Sequence, residues 1–68
     1  MAKIKIEVAG AINLLLALQQ AVDVLATANI NADGKSFIYY AVLTVADADS
    51  ESAITLLRNC GIRASPIG

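Results

Sequence analysis

The sequence predicts an α+β domain in which two helices lie on one face of a small sheet, and three observations carry that expectation. Lys3-Ile4-Lys5-Ile6-Glu7-Val8 alternates charged and apolar residues with the two-residue period of a half-buried strand. From Ala11 the period changes, with Leu14, Leu15, Leu18, Val22 and Leu25 recurring at the three- and four-residue intervals of an amphipathic helix. Phe37 to Ala46 is then rich in aromatic and β-branched residues, a strand composition, and Ala53, Ile54, Leu57 and Cys60 return to helical spacing.

Each element has a local reason. Gly10 closes the first strand, and the first helix runs to about Ala28. Its outward face carries Asn13, Gln20, Asp23 and Thr27, a single charge, with Leu16, Ala17 and Val24 among them. Asp33-Gly34 is a pair that favours positive φ and closes many hairpins, so Asn29 to Ser36 reads as a turn region with at most a stub of strand around Asn29 to Ala32. In the long strand Phe37, Tyr39, Ala41, Leu43 and Val45 fall on one face, and Ile38, Tyr40, Val42 and Thr44 on the other. Both faces are apolar enough to expect burial. Asp47, Asp49 and Ser50 supply N-cap candidates for a second helix to about Cys60, and Gly61 suits the left-handed residue after its end. Ile62 to Ser65 makes a short last strand that Pro66 terminates or places at an edge.

The resulting order, β-α-(β)-β-α-β, is a split βαβ, ferredoxin-like plan in one domain spanning residues 1–68. In it the first and long strands are expected to lie parallel at the sheet's centre, joined by a crossover through the first helix. The helices cover one sheet face, and no element remains to cover the other.

Composition bears on the partners. A chain of 68 residues is marginal alone, and small domains of this kind add disulfides, a metal or a second subunit. With one cysteine and no histidine, the second subunit is the staple left, so a homo-oligomer, most simply a dimer, is expected. The net charge of −1 and the dispersal of Lys3, Lys5, Lys35, Arg58 and Arg63 along the chain argue against nucleic acid. Asn13, Gln19, Gln20 and Asp23 interrupt the apolar run, which argues against a membrane span. That run follows Lys3 and Lys5 and precedes Ala26-Thr27-Ala28 in the manner of a leader, but the strand alternation before it favours a folded domain. The lone cysteine fits a reducing, cytoplasmic setting.

Gly10 opening a Leu-rich helix, Asn29-Ile30, the β-rich stretch, Asp49 to Gly61 and Ile62-Arg63 together resemble an ACT-type regulatory domain over nearly the whole chain. The resemblance implies subunits paired side by side. It also implies a small ligand, such as an amino acid, at the inter-subunit helix–strand turns, which map to Ala9, Gly10 and Ala11.

Catalytic chemistry is sparse. Without histidine the chain lacks the usual general base near neutral pH and any imidazole ligand, so no catalytic residue, metal or cofactor is expected. Cys60, on the inner side of the second helix at the end that disfavours a thiolate, reads as a packing residue. Asp47, Asp49 and Glu51 read as capping groups rather than a cation site. Asp33-Gly34-Lys35-Ser36 ends like a phosphate loop but lacks the upstream glycine and the following helix, and reads as a polar turn. Lys35, Tyr40 and Arg63 join Ala9, Gly10 and Ala11 as candidate ligand contacts, with Lys35, Arg58 and Arg63 able to clamp an anion if the sheet brings them together. Leu16, Val24, Phe37, Ile38, Tyr39, Tyr40 and Val42 are the candidate interface. The expected function is a non-catalytic oligomeric module holding a small molecule between subunits. The alternatives are a protein-interaction module, such as a small inhibitor or adaptor working through its sheet face, and a structural assembly subunit.

Overall fold

The structure, a computed structural model, describes residues 1–8 and 11–67, with Ala11 and Ile12 described by their backbone alone. The elements follow the order β1 (Ala2–Glu7), α1 (Ala11–Thr27), β2 (Asp33–Ser36), β3 (Ala41–Val45), a single 3₁₀ turn (Asp47–Asp49), α2 (Ser50–Asn59) and β4 (Arg63–Ile67). The strands form one sheet in the order β2-β3-β1-β4, antiparallel throughout. This is an α+β arrangement compatible with the ferredoxin-like plan.

The expected parallel pairing of the first and third strands is corrected. β1 and β3 are antiparallel neighbours, with Ile4 opposite Leu43 and Ile6 opposite Ala41. Each helix instead links strands two places apart: α1 carries the chain from β1 to β2 with β3 between them, and α2 carries it from β3 to β4 with β1 between them. The two crossovers interleave, so the strand inserted into each gap runs against its neighbours.

The core lies between the sheet and the helices. Ile4 and Ile6 from β1, Ala41, Leu43 and Val45 from β3 and Ala64 from β4 meet Leu14, Ala21 and Leu25 from α1 and Ala53 and Leu57 from α2. The α1 stripe is shifted from the one expected. Leu15 is 56% exposed, Leu18 and Val22 are half-buried flanks, and Ala21 is fully buried. A small residue at that position lets the helix approach the sheet. On α2, Cys60 was placed inward by spacing but is exposed, because the helix ends at Asn59 and the chain turns there. Cys60 is therefore not a packing residue, and Leu57 fills the inner side.

Both helices end in the same way. Gly61, at φ 81°, donates its N–H to Arg58 O at 3.0 Å while Ile62 N–H reaches Leu57 O at 3.0 Å. Asn29, at φ 61°, donates to Ala26 O at 3.0 Å while Ile30 N–H reaches Leu25 O at 2.8 Å. These paired bonds are the Schellman termination, in which the apolar residue after the left-handed one packs against the helix's last turn. Leu25, Ile30, Leu57 and Ile62 are all four buried in the one core. Gly61 thus has the role its position predicts. At the other end of α2, neither Asp47 nor Asp49 caps through its side chain: the N-cap residue, Asp49, makes no side-chain cap bond, and Asp47 pairs with the Met1 amino group at 3.3 Å.

The β2–β3 hairpin departs furthest from expectation. The second strand is not a stub around Asn29 to Ala32 but Asp33–Ser36, and Phe37 to Tyr40 are the hairpin connection rather than strand. Asp33-Gly34 is no turn: Asp33 lies opposite Thr44 and Gly34 opposite Leu43. Glycine stands at 34 for room, since a Cβ there would lie 2.9 Å from Leu18 Cδ1. The last strand runs past Pro66 to Ile67, opposite β1 only, so proline sits in an edge strand where a missing N–H is tolerated.

Candidate binding face

Residues directly opposite one another in a sheet point to the same side. The pairings therefore give the side of the sheet away from the helices in three rows. Asp33, Thr44, Lys3 and Ile67 form the first, and Lys35, Val42, Lys5 and Ser65 the second. Beyond them Glu7 lies opposite Arg63, with Tyr40 the next residue along β3's end of the hairpin. Four of the chain's five basic side chains, Lys3, Lys5, Lys35 and Arg63, thus share one face. With Asp33 and Glu7 that face carries a formal charge of +2. The remainder, Arg58 against Asp23, Asp47, Asp49 and Glu51, carries −3 and accounts for the net −1. Dispersal in sequence has become concentration in space.

The long apolar segment is divided between the two sides of the sheet. Ala41, Leu43 and Val45 are buried against the helices, whereas Val42 and Thr44 are half-buried on the open face. Val42 lies between Lys5 and Lys35, and Thr44 between Lys3 and Asp33. Lysine stems cover apolar surface while the ammonium stays in water, so part of the cover that a second subunit was expected to provide comes from the chain itself.

Aromatic groups stand at one end of the face. The Phe37 and Tyr40 rings stack with centroids 4.9 Å apart and planes 21° apart. Lys5 Nζ sits 5.1 Å from the Tyr40 ring centroid and 3.7 Å from Glu7 Oε1. Lys3, Lys35, Phe37, Tyr40 and Val42 line a shallow open depression of about 550 Å³ on this face. Phe37 N–H donates to Tyr40 O at 2.7 Å and closes the hairpin, leaving Ile38 and Tyr39 at the tip, 78% and 83% exposed.

The expected ligand set is divided by this geometry. Lys35 and Tyr40 share the depression, while Arg63 belongs to the opposite edge strand. Lys35, Arg58 and Arg63 do not converge: Arg58 and Arg63 line a separate hollow with Glu7 and Ser65, where Arg58 Nε donates to Ala64 O at 3.0 Å. Ala9, Gly10 and the side chain of Ala11 lie outside the described residues. Of the candidate interface, Leu16 is exposed and Val24 half-buried on the outer side of α1, away from the hairpin's Phe37, Ile38 and Tyr39. Lys3 and Lys5 are the residues sequence reading left out of the site. Their alternation with Ile4 and Ile6 already placed them together on the wet side of a strand.

No protein-family model, no curated protein and no solved structure matches the chain. Among the described residues, no helix is long and apolar enough to cross a membrane, and no group of three or more His, Cys, Asp or Glu side chains could hold a metal ion.

Proposed function

We propose that the chain is a non-catalytic binding module of the ferredoxin-like plan whose open sheet face receives an anionic ligand. The observation that carries the reading is the gathering of Lys3, Lys5, Lys35 and Arg63 on that face beside a stacked aromatic pair. Clustered cations raise the local concentration of anions, and an aromatic wall adds an apolar contact that a hydrated cation lacks. It keeps Lys35, Tyr40 and Arg63 from the small-molecule reading and sets their ligand on the sheet rather than at the glycine turn.

The test is thermal unfolding with inorganic pyrophosphate, citrate and a nucleoside triphosphate, against uncharged nucleoside and sugar controls. A ligand at a hundred times its dissociation constant stabilises by about 2.7 kcal/mol, a shift of more than ten degrees for a chain this short. The exposed pair Lys3→Glu and Lys35→Glu turns the formal charge of the face from +2 to −2 and is expected to abolish the shift. Equal shifts from uncharged compounds, or anion binding that survives the charge reversal, would count against the reading.

A second reading, subunit or target docking through the hairpin tip, is favoured by the exposure of Ile38 and Tyr39. Hairpin tips normally carry glycine, asparagine or aspartate rather than two bulky side chains. Sedimentation velocity over a wide concentration range is expected to show self-association that the Ile38→Ser, Tyr39→Ser double variant loses. A single sedimenting chain at every concentration excludes self-pairing.

A further inference from the structure

Resting on the anionic-ligand reading, we infer that the open sheet face is a platform for a single strand of nucleic acid, with phosphates on Lys3, Lys35 and Arg63 and a base against Phe37. Three features select this ligand. First, the cations span the sheet from edge to edge, from Lys35 on β2 through Lys3 on β1 to Arg63 on β4. Three strand spacings of about 4.8 Å make that span about 14 Å. A single inorganic anion cannot touch all of it, whereas a backbone that repeats its charge can. Lys5 is the cation already committed, to Glu7 and to the Tyr40 ring.

Second, the aromatic pair leaves one ring open. Tyr40 is half-buried and engaged by Phe37 and Lys5, whereas Phe37 is 49% exposed and lines the depression that Lys3 and Lys35 also line. A base stacked on Phe37 would extend the existing Phe37–Tyr40 stack. Base–aromatic stacking is tolerant of sequence, and a four-stranded sheet face stacks two or three bases in this manner. A duplex hides the flat faces of its bases, and its major groove admits a helix or a two-stranded ribbon rather than a four-stranded sheet. The ligand is therefore unpaired.

Third, the cations are spread too far along the strands for a lipid surface met through the apolar tip. Lys5, Lys35 and Arg63 lie towards the aromatic end, but Lys3 does not. Lys3 lies instead four residues along β1 from Glu7, roughly 13 Å towards the sheet's other end. Asp33, at the start of β2, is the acidic group beside Lys3 and Lys35 in the depression. It sits against Thr44, away from the aromatic end.

The experiment is fluorescence anisotropy of labelled short oligothymidylate and oligouridylate with the full chain, in parallel with their duplexes, inorganic polyphosphate as competitor, and phosphatidylserine vesicles. Three phosphate contacts give a slope of log affinity on log salt of about −2 for a single strand, or about a twentyfold loss between about 50 and 200 mM. Phe37→Leu keeps an apolar side chain and removes the ring, so it is expected to weaken strand binding at least fivefold while leaving polyphosphate binding unchanged. Leu16→Ala, on the outer side of α1, is expected to change neither, and circular dichroism confirms that each variant folds. Polyphosphate binding without strand preference, and with no effect of Phe37→Leu, overturns the nucleic-acid assignment and leaves the anionic-ligand reading standing. Equal affinity for duplex, or binding to vesicles in preference to strands, also overturns it. Failure of strands, polyphosphate and small anions alike removes both.

Discussion

Leu57→Ala is expected to cost about 2–5 kcal/mol, the range for deleting a fully buried leucine side chain and leaving its cavity. At roughly 0.05–0.15 kcal/mol per residue, a chain of 68 residues has about 3–10 kcal/mol of stability in total. The single substitution therefore removes about a fifth or more of it and can unfold the domain. Leu57 is fully buried in the core between α2 and the sheet, and its carbonyl accepts the Ile62 N–H that closes the helix. Urea unfolding followed by circular dichroism reads the loss as a fall in midpoint. An unfolding free energy within a few tenths of a kcal/mol of the wild type would mean that α2 is not docked as described. Gly61→Ala separates the two roles of this helix end. An added methyl meets nothing within 4 Å, so its cost comes from the left-handed backbone alone, about 1–2 kcal/mol.

The second large effect is a coupling. Leu43→Ala, at a fully buried β3 position, is expected to cost another about 2–5 kcal/mol by itself. Gly34→Ala alone crowds Leu18, whose Cδ1 would lie 2.9 Å from the new methyl, and destabilises through overpacking by about 1 kcal/mol. Combined, the two should be less harmful than their sum. The new methyl points towards Leu43 Cδ2, 3.4 Å away, so it fills part of the space that Leu43→Ala empties and gives Leu18 room to move. Neighbours sharing a cavity show coupling of about 0.5–3 kcal/mol. A double-mutant cycle from denaturant midpoints measures it. Strict additivity would show that Gly34 does not stand between Leu18 and Leu43, and the β2–β3 register would have to be redrawn.

That register was the least legible part of the sequence. Asp33-Gly34 has the local chemistry of a turn and Phe37 to Tyr40 that of a strand, yet each takes the other's place. Turn preferences are worth about a kcal/mol. Placing Ala41, Leu43 and Val45 together under the helices, opposite Ile6, Ile4 and Ala2, removes several side chains from water at about 1.5–3 kcal/mol each. A one-residue slip would turn that whole set to solvent. The larger quantity wins, and the hairpin closes wherever the register leaves it, at Ile38 and Tyr39. Cys60 was misplaced for a smaller reason: spacing counts it as the last inward position of the helix, whereas α2 ends at Asn59 and Cys60 is the exposed residue that caps it.

Periodicity sufficed to locate the two helices, the wet and dry sides of β1, and the glycine that stops α2, because each depends on residues within one or two turns of each other. The proposed binding face was present in the chain as four of its five scattered basic residues, of which Lys35 and Arg63 read as ligand contacts and Lys3 and Lys5 did not. Interleaving of the two crossovers put β2 and β4 at opposite edges with β3 and β1 between them, and so brought Lys35, Lys3, Lys5 and Arg63 onto one surface. Pairing of that kind rewards contacts between segments as far apart as Lys3 and Ile67, and loop-closure entropy rises only slowly with such separation. Linear spacing therefore carries almost no information about which strands become neighbours; burial across the finished sheet does.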